Sequence, residues 1–180
     1  TALPRVDDLL KRAQELGMTS LALTDTSAMY GAVEFYIHAK DYGIKPIIGV
    51  EVFVCKDLRS KNNTSEDKRR HELVILAKNN TGYKNLMKII SIAQLEGFYY
   101  KARTDKNLLR QYSEGIIALS GSMQGEVPSE IIYGNYERAK ASALEYQDIF
   151  GKDNFYLELG PHTDIENQVA ANQGLVQISQ

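Results

Sequence analysis

The stretch SLALTDTSAMYGAVEFY, residues 20–36, decides the fold. The LAL run near its start is typical of a short strand that is buried on both faces. Residues 24–27 are short polar side chains that break this run and include good helix N-caps. Apolar residues then return at helical spacing, at Met29, Val33 and Ile37. The stretch therefore predicts a strand, a polar turn and a helix, with functional residues expected in the turn after the strand.

The same alternation continues along the chain. A helix is predicted over residues 4–16, and the apolar run KPIIGVEVFV, residues 45–54, predicts the next strand. Three further strands are predicted, at residues 71–77, 116–119 and 155–159. Between the last two, a long helix is predicted from Ser129 to about Phe150. Because strands and helices alternate throughout, we expect a largely parallel sheet with helices outside.

Composition indicates a single domain over residues 1–180, large enough to bury a core without disulfides or metal. The 21 basic and 23 acidic residues give a net charge of −2, so no overall positive field indicates nucleic-acid binding. The lone cysteine, Cys55, excludes an internal disulfide and fits a reducing compartment, so we expect a cytoplasmic protein without membrane contact. Because the chain begins with Thr1 and not with methionine, we expect it to be a piece of a longer protein.

Residues 56–70, KDLRSKNNTSEDKRR, contain one aliphatic side chain and nine charged ones. This composition predicts a solvated surface loop. The strand pattern resumes at His71, so the loop is not interpreted as a domain boundary. The basic run at its end is interpreted as solvated charge rather than as a DNA-binding patch.

Polar residues fall near the ends of the predicted strands. They are Asp25, Thr26, Glu51, His71, Ser122 and His162. In a parallel barrel such side chains converge at one mouth, where imidazole and carboxylate groups would suit a divalent metal that activates water. The spacing alone is a weak signal, because no HxH, HExxH or CxxC motif fixes two ligands locally. A histidine at a strand start, such as His71, is more often structural than ligating.

Five blocks of the chain resemble one known family in order and spacing. They are LALTDTSAMYGAVEFY, GIKPIIGVEVFV, HELVILAKNNTGYKNLMKIISIAQLEGFYYKARTD, EGIIALSGSMQGEVPSEI and FYLEL. These blocks are similar to the PHP (polymerase and histidinol phosphatase) domain at the N-terminus of the bacterial DNA polymerase III alpha subunit, rather than to the free-standing phosphatases. The resemblance implies an α/β fold, a distorted (β/α)7 TIM-like barrel that is incomplete at both ends in this chain.

The resemblance also implies a site. In metal-binding members the barrel mouth holds several metal ions on histidines, carboxylates and a cysteine, and it is linked to phosphoester hydrolysis or 3′–5′ proofreading. Glu51, His71 and His162 match ligand positions in this comparison. Thr26 stands where such members have histidine, and Ser122 stands where they have cysteine. A neutral hydroxyl is a poor replacement for imidazole or thiolate, and two further family motifs would lie outside this chain. We therefore expect a degenerate site without a cofactor, the alternative being a bound zinc or manganese ion.

Two functions follow from the resemblance. The first is a structural docking module of a DNA-directed DNA polymerase, a nucleotidyltransferase of DNA replication. Such a module would contact the remainder of the alpha chain and a proofreading exonuclease subunit, and it would meet DNA only through the parent polymerase. The second is an active metal-dependent phosphoesterase or 3′–5′ proofreading nuclease. Thr26 and Ser122 favour the first function, while Glu51, His71 and His162 keep the second open. A third possibility, an unrelated α/β-barrel enzyme that acts on a small molecule, is disfavoured by the polymerase-type blocks.

An aromatic run, Phe98, Tyr99 and Tyr100, ends one of the predicted helices. It is interpreted as a seal against the rest of the polymerase rather than as a separate partner-binding patch.

Overall fold

The computed structural model describes residues 5–162, 164–165 and 167–180. Within these residues there are eight helices: α1 (Val6–Glu15), α2 (Ala32–Asp41), α3 (Ser65–Lys68), α4 (Asn80–Leu95), α5 (Lys106–Gln111), α6 (Glu126–Ile132), α7 (Tyr136–Phe150) and α8 (Gln168–Ile178). The same residues form six strands: β1 (Ser20–Thr26), β2 (Lys45–Cys55), β3 (His71–Ala77), β4 (Arg103–Asp105), β5 (Ile116–Leu119) and β6 (Phe155–Tyr156). No helix in the described part of the chain is long and apolar enough to cross a membrane.

The six strands form one open, mixed sheet in the order β1-β2-β3-β5-β6, with β4 also paired to β2. The β1–β2, β2–β4 and β5–β6 pairs are parallel, whereas β3 is antiparallel to both β2 and β5. The predicted α/β class is confirmed, but the prediction of a largely parallel sheet is wrong at β3. The reason lies in residues 56–70, which return the chain to the same end of the sheet instead of crossing over it. In the described residues the sheet does not close into a barrel.

The sheet has one covered side and one open side. Val50, Val52, Leu73 and Ile75 are at most 2% exposed and pack with the inner residues of α4 and α7 in one apolar cluster. We call this side the core face. On the opposite side, which we call the open face, the paired residues include Glu51 and Val74, and both are only partly buried.

Local differences from the predictions have simple causes. β1 lies at the edge of the sheet and has no fully buried residue, so it is not buried on both faces. Helix α2 buries Phe35 and Ala39, while Val33 and Ile37 of the predicted spacing are exposed. The predicted long helix is divided into α6 and α7, because Gly134 between them has a φ of +76°, which ends the first helix.

The 56–70 loop is ordered by a buried arginine. The Arg103 side chain is fully buried beside it. Its nitrogens donate hydrogen bonds to four backbone carbonyl oxygens, those of Leu58 at 3.0 Å, Ser60 at 2.9 Å, Asp67 at 2.7 Å and Gly97 at 3.1 Å. The Asp105 carboxylate accepts from the Leu58 N–H at 3.1 Å, and Leu58 is itself fully buried. The loop therefore lies on the surface, and hydrogen bonds from Arg103 and Asp105 fix its backbone to β4.

We expect Arg103→Met to lower the free energy of unfolding by about 3 kcal/mol or more, because it leaves several buried carbonyl oxygens without a donor. Urea unfolding measures this loss, and limited proteolysis should show new cleavage within residues 56–70. Arg59→Met is the matched control, since the exposed Arg59 of the same loop only forms a surface ion pair with Glu96, worth up to about 1 kcal/mol. Equal stability losses in the two variants would contradict the role given to Arg103.

Candidate functional site

Two hydroxyl–carboxylate pairs lie at the open face of the sheet. The Thr26 hydroxyl donates to the Glu51 carboxylate at 3.0 Å, and the Ser122 hydroxyl donates to the Glu72 carboxylate at 2.5 Å. Glu158, which follows β6, is a third carboxylate close enough to affect the charge of Glu51. We call these five residues the carboxylate cluster. Its ionisable groups are all acidic.

The strand register places the first pair. Thr26 is the last residue of β1 and lies beside Glu51 of β2 in the parallel ladder, so the two side chains project from the same face. On its other side Glu51 lies opposite Val74 of β3. The open face and the Thr26 donor lower the cost of placing this carboxylate in an otherwise apolar strand.

The turn after β5 places the second pair. Gly121 has a φ of +78°, and a Cβ there would lie 2.8 Å from the Glu72 carbonyl oxygen, so the close approach requires glycine. The backbone N–H of Gln124 donates to the Ser122 hydroxyl oxygen at 3.2 Å. The Glu72 N–H in turn donates to the Gln124 carbonyl at 3.0 Å, which ties the turn to β3. Ser122 is thereby held beside Glu72.

The charge of Glu51 is poorly stabilised. Burial raises the pKa of Glu51 above its usual value, and the neighbouring carboxylates of Glu72 and Glu158 raise it further. The hydrogen bond from Thr26 and the ammonium of Lys101 lower the pKa without reversing the shift. The cluster therefore favours a proton on Glu51 more than an isolated glutamate does.

His71 and Asp25 do not join the cluster, contrary to the prediction that they would share one hollow with Glu51. His71 lies opposite Val54 and Asp25 opposite Val50, and both partners belong to the core face. The His71 Nδ1 atom is 3.3 Å from the Ser129 hydroxyl of α6. The physical reason is side-chain alternation, since a residue next in sequence on a strand points to the other face.

Sequence reasoning missed Glu72. It follows His71 directly, and side-chain alternation, which puts adjacent strand residues on opposite faces, was the signal that pointed to Glu72 as the alternative to His71. His162, the remaining predicted residue, lies exposed in the loop after β6, and its side chain makes no hydrogen bond or ion pair with the residues that the structure describes.

His71 borders a separate cavity of about 910 Å³ on the core-face side. Burial lowers the pKa of His71, and Arg69 adds to this, against the opposing carboxylates of Glu126 and Glu130, so the ring is neutral at pH 7.

Glu126 is the best-stabilised carboxylate of this cavity. Lys106 donates to it at 2.9 Å, Ser142 at 2.9 Å and Tyr146 at 2.8 Å. Burial alone would raise the pKa of Glu126, but these donors outweigh burial and hold it below its usual value. Burial also raises the pKa of the Cys55 thiol at the edge of the cavity to about 11, so this thiol is not a ready thiolate.

The carboxylate cluster does not fit the metal centre that the resemblance implies. Within the described ranges, no three His, Cys, Asp or Glu side chains are placed to hold one metal ion. Both hydroxyls of the cluster donate to carboxylates, and zinc-like ions prefer imidazole and thiolate ligands, which the cluster lacks. The geometry therefore supports no reaction step through a metal here, and the expectation of no cofactor stays a prediction.

We expect two substitutions to move the Glu51 pKa in opposite directions. Thr26→Val removes the hydrogen bond that stabilises the carboxylate, so the Glu51 pKa should rise. Glu72→Gln removes a neighbouring negative charge, so the Glu51 pKa should fall. A carbon-13 NMR titration of side-chain-labelled glutamate, assigned with Glu51→Gln, measures both shifts. Thr19→Val, at an exposed threonine before β1, should leave the Glu51 pKa unchanged, and shifts of the same sign in the first two variants would refute the described electrostatics.

Comparison with known proteins places the chain in a family. Residues 1–162 match the family model described as the PHP domain. The chain is 43% identical over 176 residues to the DNA polymerase III subunit alpha of Borreliella burgdorferi, covering 97% of this chain and 15% of that relative.

The chain is also similar to relatives from two other bacteria. The DNA polymerase III subunit alpha of Helicobacter pylori strain J99 is 43% identical over 179 residues, covering 94% of this chain and 14% of the relative. The DNA polymerase III subunit alpha of Aquifex aeolicus is 39% identical over 181 residues, covering 97% of this chain and 15% of the relative. The chain thus spans only 14–15% of the length of these relatives. Because the PHP model matches residues 1–162 of the 180, this chain belongs to the PHP domain family.

Proposed function

We propose that this chain is the PHP domain of a bacterial DNA polymerase III alpha subunit and serves DNA replication as a structural docking module. The support for the parent protein is the set of relatives, which are 39–43% identical and are named DNA polymerase III subunit alpha. The parent chain is then a DNA-directed DNA polymerase of the cytoplasm, and its polymerase activity resides in other parts of that chain.

The observation that carries the docking role is the pairing of Thr26 with Glu51 and of Ser122 with Glu72. In each pair a neutral hydroxyl donates its proton to a carboxylate. The resemblance assigns metal ligands to both hydroxyl positions, and hydroxyls do not replace imidazole or thiolate on a zinc-like ion.

The open sheet has edges and a face to which further strands of the alpha chain can add. Its outer strands, β1 and β6, have unpaired edges in the described residues, and apolar side chains of the open face such as Val74, Ile117 and Leu119 are only partly buried. Such edges and faces are normally covered in native proteins. We infer that further strands of the alpha chain close the sheet into the distorted (β/α)7 barrel.

An apolar patch on α2 supplies a docking surface. It consists of Tyr30, Val33, Tyr36 and Ile37, which are 91%, 61%, 49% and 55% exposed. Tyr30 precedes α2, and the other three lie on α2 at helical spacing. Val33 and Tyr36 border a groove of about 580 Å³ between α2 and the start of β2. Contiguous exposed apolar side chains of this kind mark interaction sites. The partner proposed for this patch is the remainder of the alpha chain.

The aromatic run at residues 98–100 is a second apolar surface. Tyr99 is tied down, since its hydroxyl donates to Asn63 at 3.0 Å and its ring lies 5.0 Å from the Arg103 guanidinium. Phe98 and Tyr100 are exposed. This surface is available to the rest of the alpha chain or to a proofreading exonuclease subunit.

A second candidate function is a metal-dependent phosphoesterase or proofreading nuclease. It is favoured by the three carboxylates Glu51, Glu72 and Glu158, whose charges interact at one face of the sheet. Carboxylates suit manganese better than they suit zinc. The donor set is less complete than such a site requires, which is why this function is placed second.

We expect no metal-dependent hydrolysis by the chain. Its rates with p-nitrophenyl phosphate and with a 3′-mismatched primer, in manganese or zinc, should equal those of a Glu51→Gln, Glu72→Gln double variant. Elemental analysis of the purified chain should find no stoichiometric metal. Turnover that the double variant abolishes would establish the second candidate function instead.

We expect the separately purified remainder of the alpha chain to bind this chain through the α2 patch. A Val33→Lys, Ile37→Lys variant should bind about tenfold more weakly or worse, since each buried aliphatic side chain is worth about 1.5–3 kcal/mol. Calorimetric titration measures the affinity. Leu144→Lys is the matched control, because Leu144 is a similarly exposed leucine on α7. Equal affinities of all three proteins would remove the patch from the proposal.

A further inference from the structure

A groove of about 840 Å³ lies where the tips of β2 and β3 meet the end of the 56–70 loop and the start of α7. Its lining includes five basic side chains, those of Lys68, Arg69, Arg70, Lys101 and Arg138. Glu72 is the one carboxylate among its lining residues. The basic residues come from three separate segments of a chain whose net charge is −2, so their convergence is a property of the fold and not of composition. We call this feature the cationic groove.

Most of these charges are not neutralised by a neighbour. Arg69 pairs with Glu130 at 2.5 Å. The other four basic side chains form no ion pair with a carboxylate of the residues described. Like charges gathered in a concave surface reinforce one another's field and attract anions.

The fold holds two of the charges in place. The Lys101 ammonium lies 4.3 Å from the centre of the Phe53 ring, and the Arg70 guanidinium lies 5.8 Å from it. Phe53 is 6% exposed and forms the floor of the groove. Cation–π contacts of this kind fix a cation without neutralising it. An incoming anion therefore meets charges that are already positioned.

The rim adds groups suited to a nucleotide. Tyr133, at the end of α6, lines the groove and is 74% exposed. Exposed aromatic rings beside basic grooves stack bases of single strands. Gln124 contributes a neutral side-chain amide that can donate to phosphate oxygens, while the Asn135 amide already donates to Glu130 at 2.9 Å.

We propose that the cationic groove binds the phosphates of single-stranded nucleic acid, with Tyr133 stacking on a base. This proposal goes beyond the docking role proposed above. None of the basic residues of the cationic groove belongs to the α2 patch or to the carboxylate cluster. A single strand fits better than an acidic peptide, because the exposed Tyr133 ring has a base to stack on, whereas the basic side chains would pair with carboxylates as readily as with phosphates. The binding is electrostatic and independent of sequence.

The test is fluorescence anisotropy of a labelled oligothymidylate of about twelve residues, which covers the usual span of a single-strand site. Arg138→Glu and Lys101→Ala should weaken binding, the charge reversal by about tenfold or more. Tyr133→Ala should weaken it with little change in salt dependence. For the unsubstituted chain, the logarithm of the affinity should fall with the logarithm of salt concentration with a slope of about −0.7 for each phosphate contacted.

Lys140→Glu is the matched control, since it makes the same charge change two residues along α7, outside the groove. It should bind within about twofold of the unsubstituted chain, and circular dichroism with thermal melting should show all variants folded. Equal weakening by Lys140→Glu and Arg138→Glu would overturn the proposal. So would absence of binding, or displacement of the oligonucleotide by inorganic phosphate or polyglutamate at equal concentrations of anionic groups. The last two results would assign the groove to a small phosphorylated ligand or to polyanions in general.

Discussion

The hydrogen bonds that the buried Arg103 guanidinium donates to four backbone carbonyls are the interaction on which the 56–70 loop and the cationic groove depend. A fully buried cation is costly unless its donors are satisfied, and here four backbone carbonyls from two separate segments satisfy it. Those carbonyls belong to the 56–70 loop and to Gly97, so one side chain fixes a loop that has almost no apolar residues of its own. The ordered loop in turn positions Lys68, Arg69 and Arg70 in the lining of the cationic groove.

The direction of β3 follows from the same loop. Because the loop brings the chain back to the end of β2 at which it left, β3 runs antiparallel and its first residues lie beside the last residues of β2. His71 and Glu72 thus reach the end of the sheet where a parallel strand would place its final residues. Alternation then separates them, with His71 on the core face and Glu72 on the open face. One reversal therefore decides which of two adjacent polar residues faces the carboxylate cluster.

The sequence predicted those features that local pattern determines. The alternation of helices and strands is such a feature, and the structure contains it. The family resemblance also held, since it rests on contiguous blocks. The orientation of β3 could not be predicted from apolar spacing, because parallel and antiparallel strands share a period of two. The cationic groove was likewise hidden, since Lys68, Lys101 and Arg138 are far apart in sequence and meet only through tertiary contacts. Only the basic run at residues 68–70 was therefore interpreted, as solvated charge.

The cationic groove and the carboxylate cluster share one residue, and this explains how the two proposed roles are compatible. Glu72 lines the groove and accepts the Ser122 hydrogen bond of the cluster. A strand bound by the basic side chains would meet Glu72 first and then Glu51, and both repel phosphate unless a cation lies between them. The raised pKa of Glu51 shows how weakly the described surroundings compensate even its own charge. The repulsion from these carboxylates therefore places the proposed strand at the edge of the sheet, on the basic side chains, with its phosphodiesters away from Glu72 and Glu51.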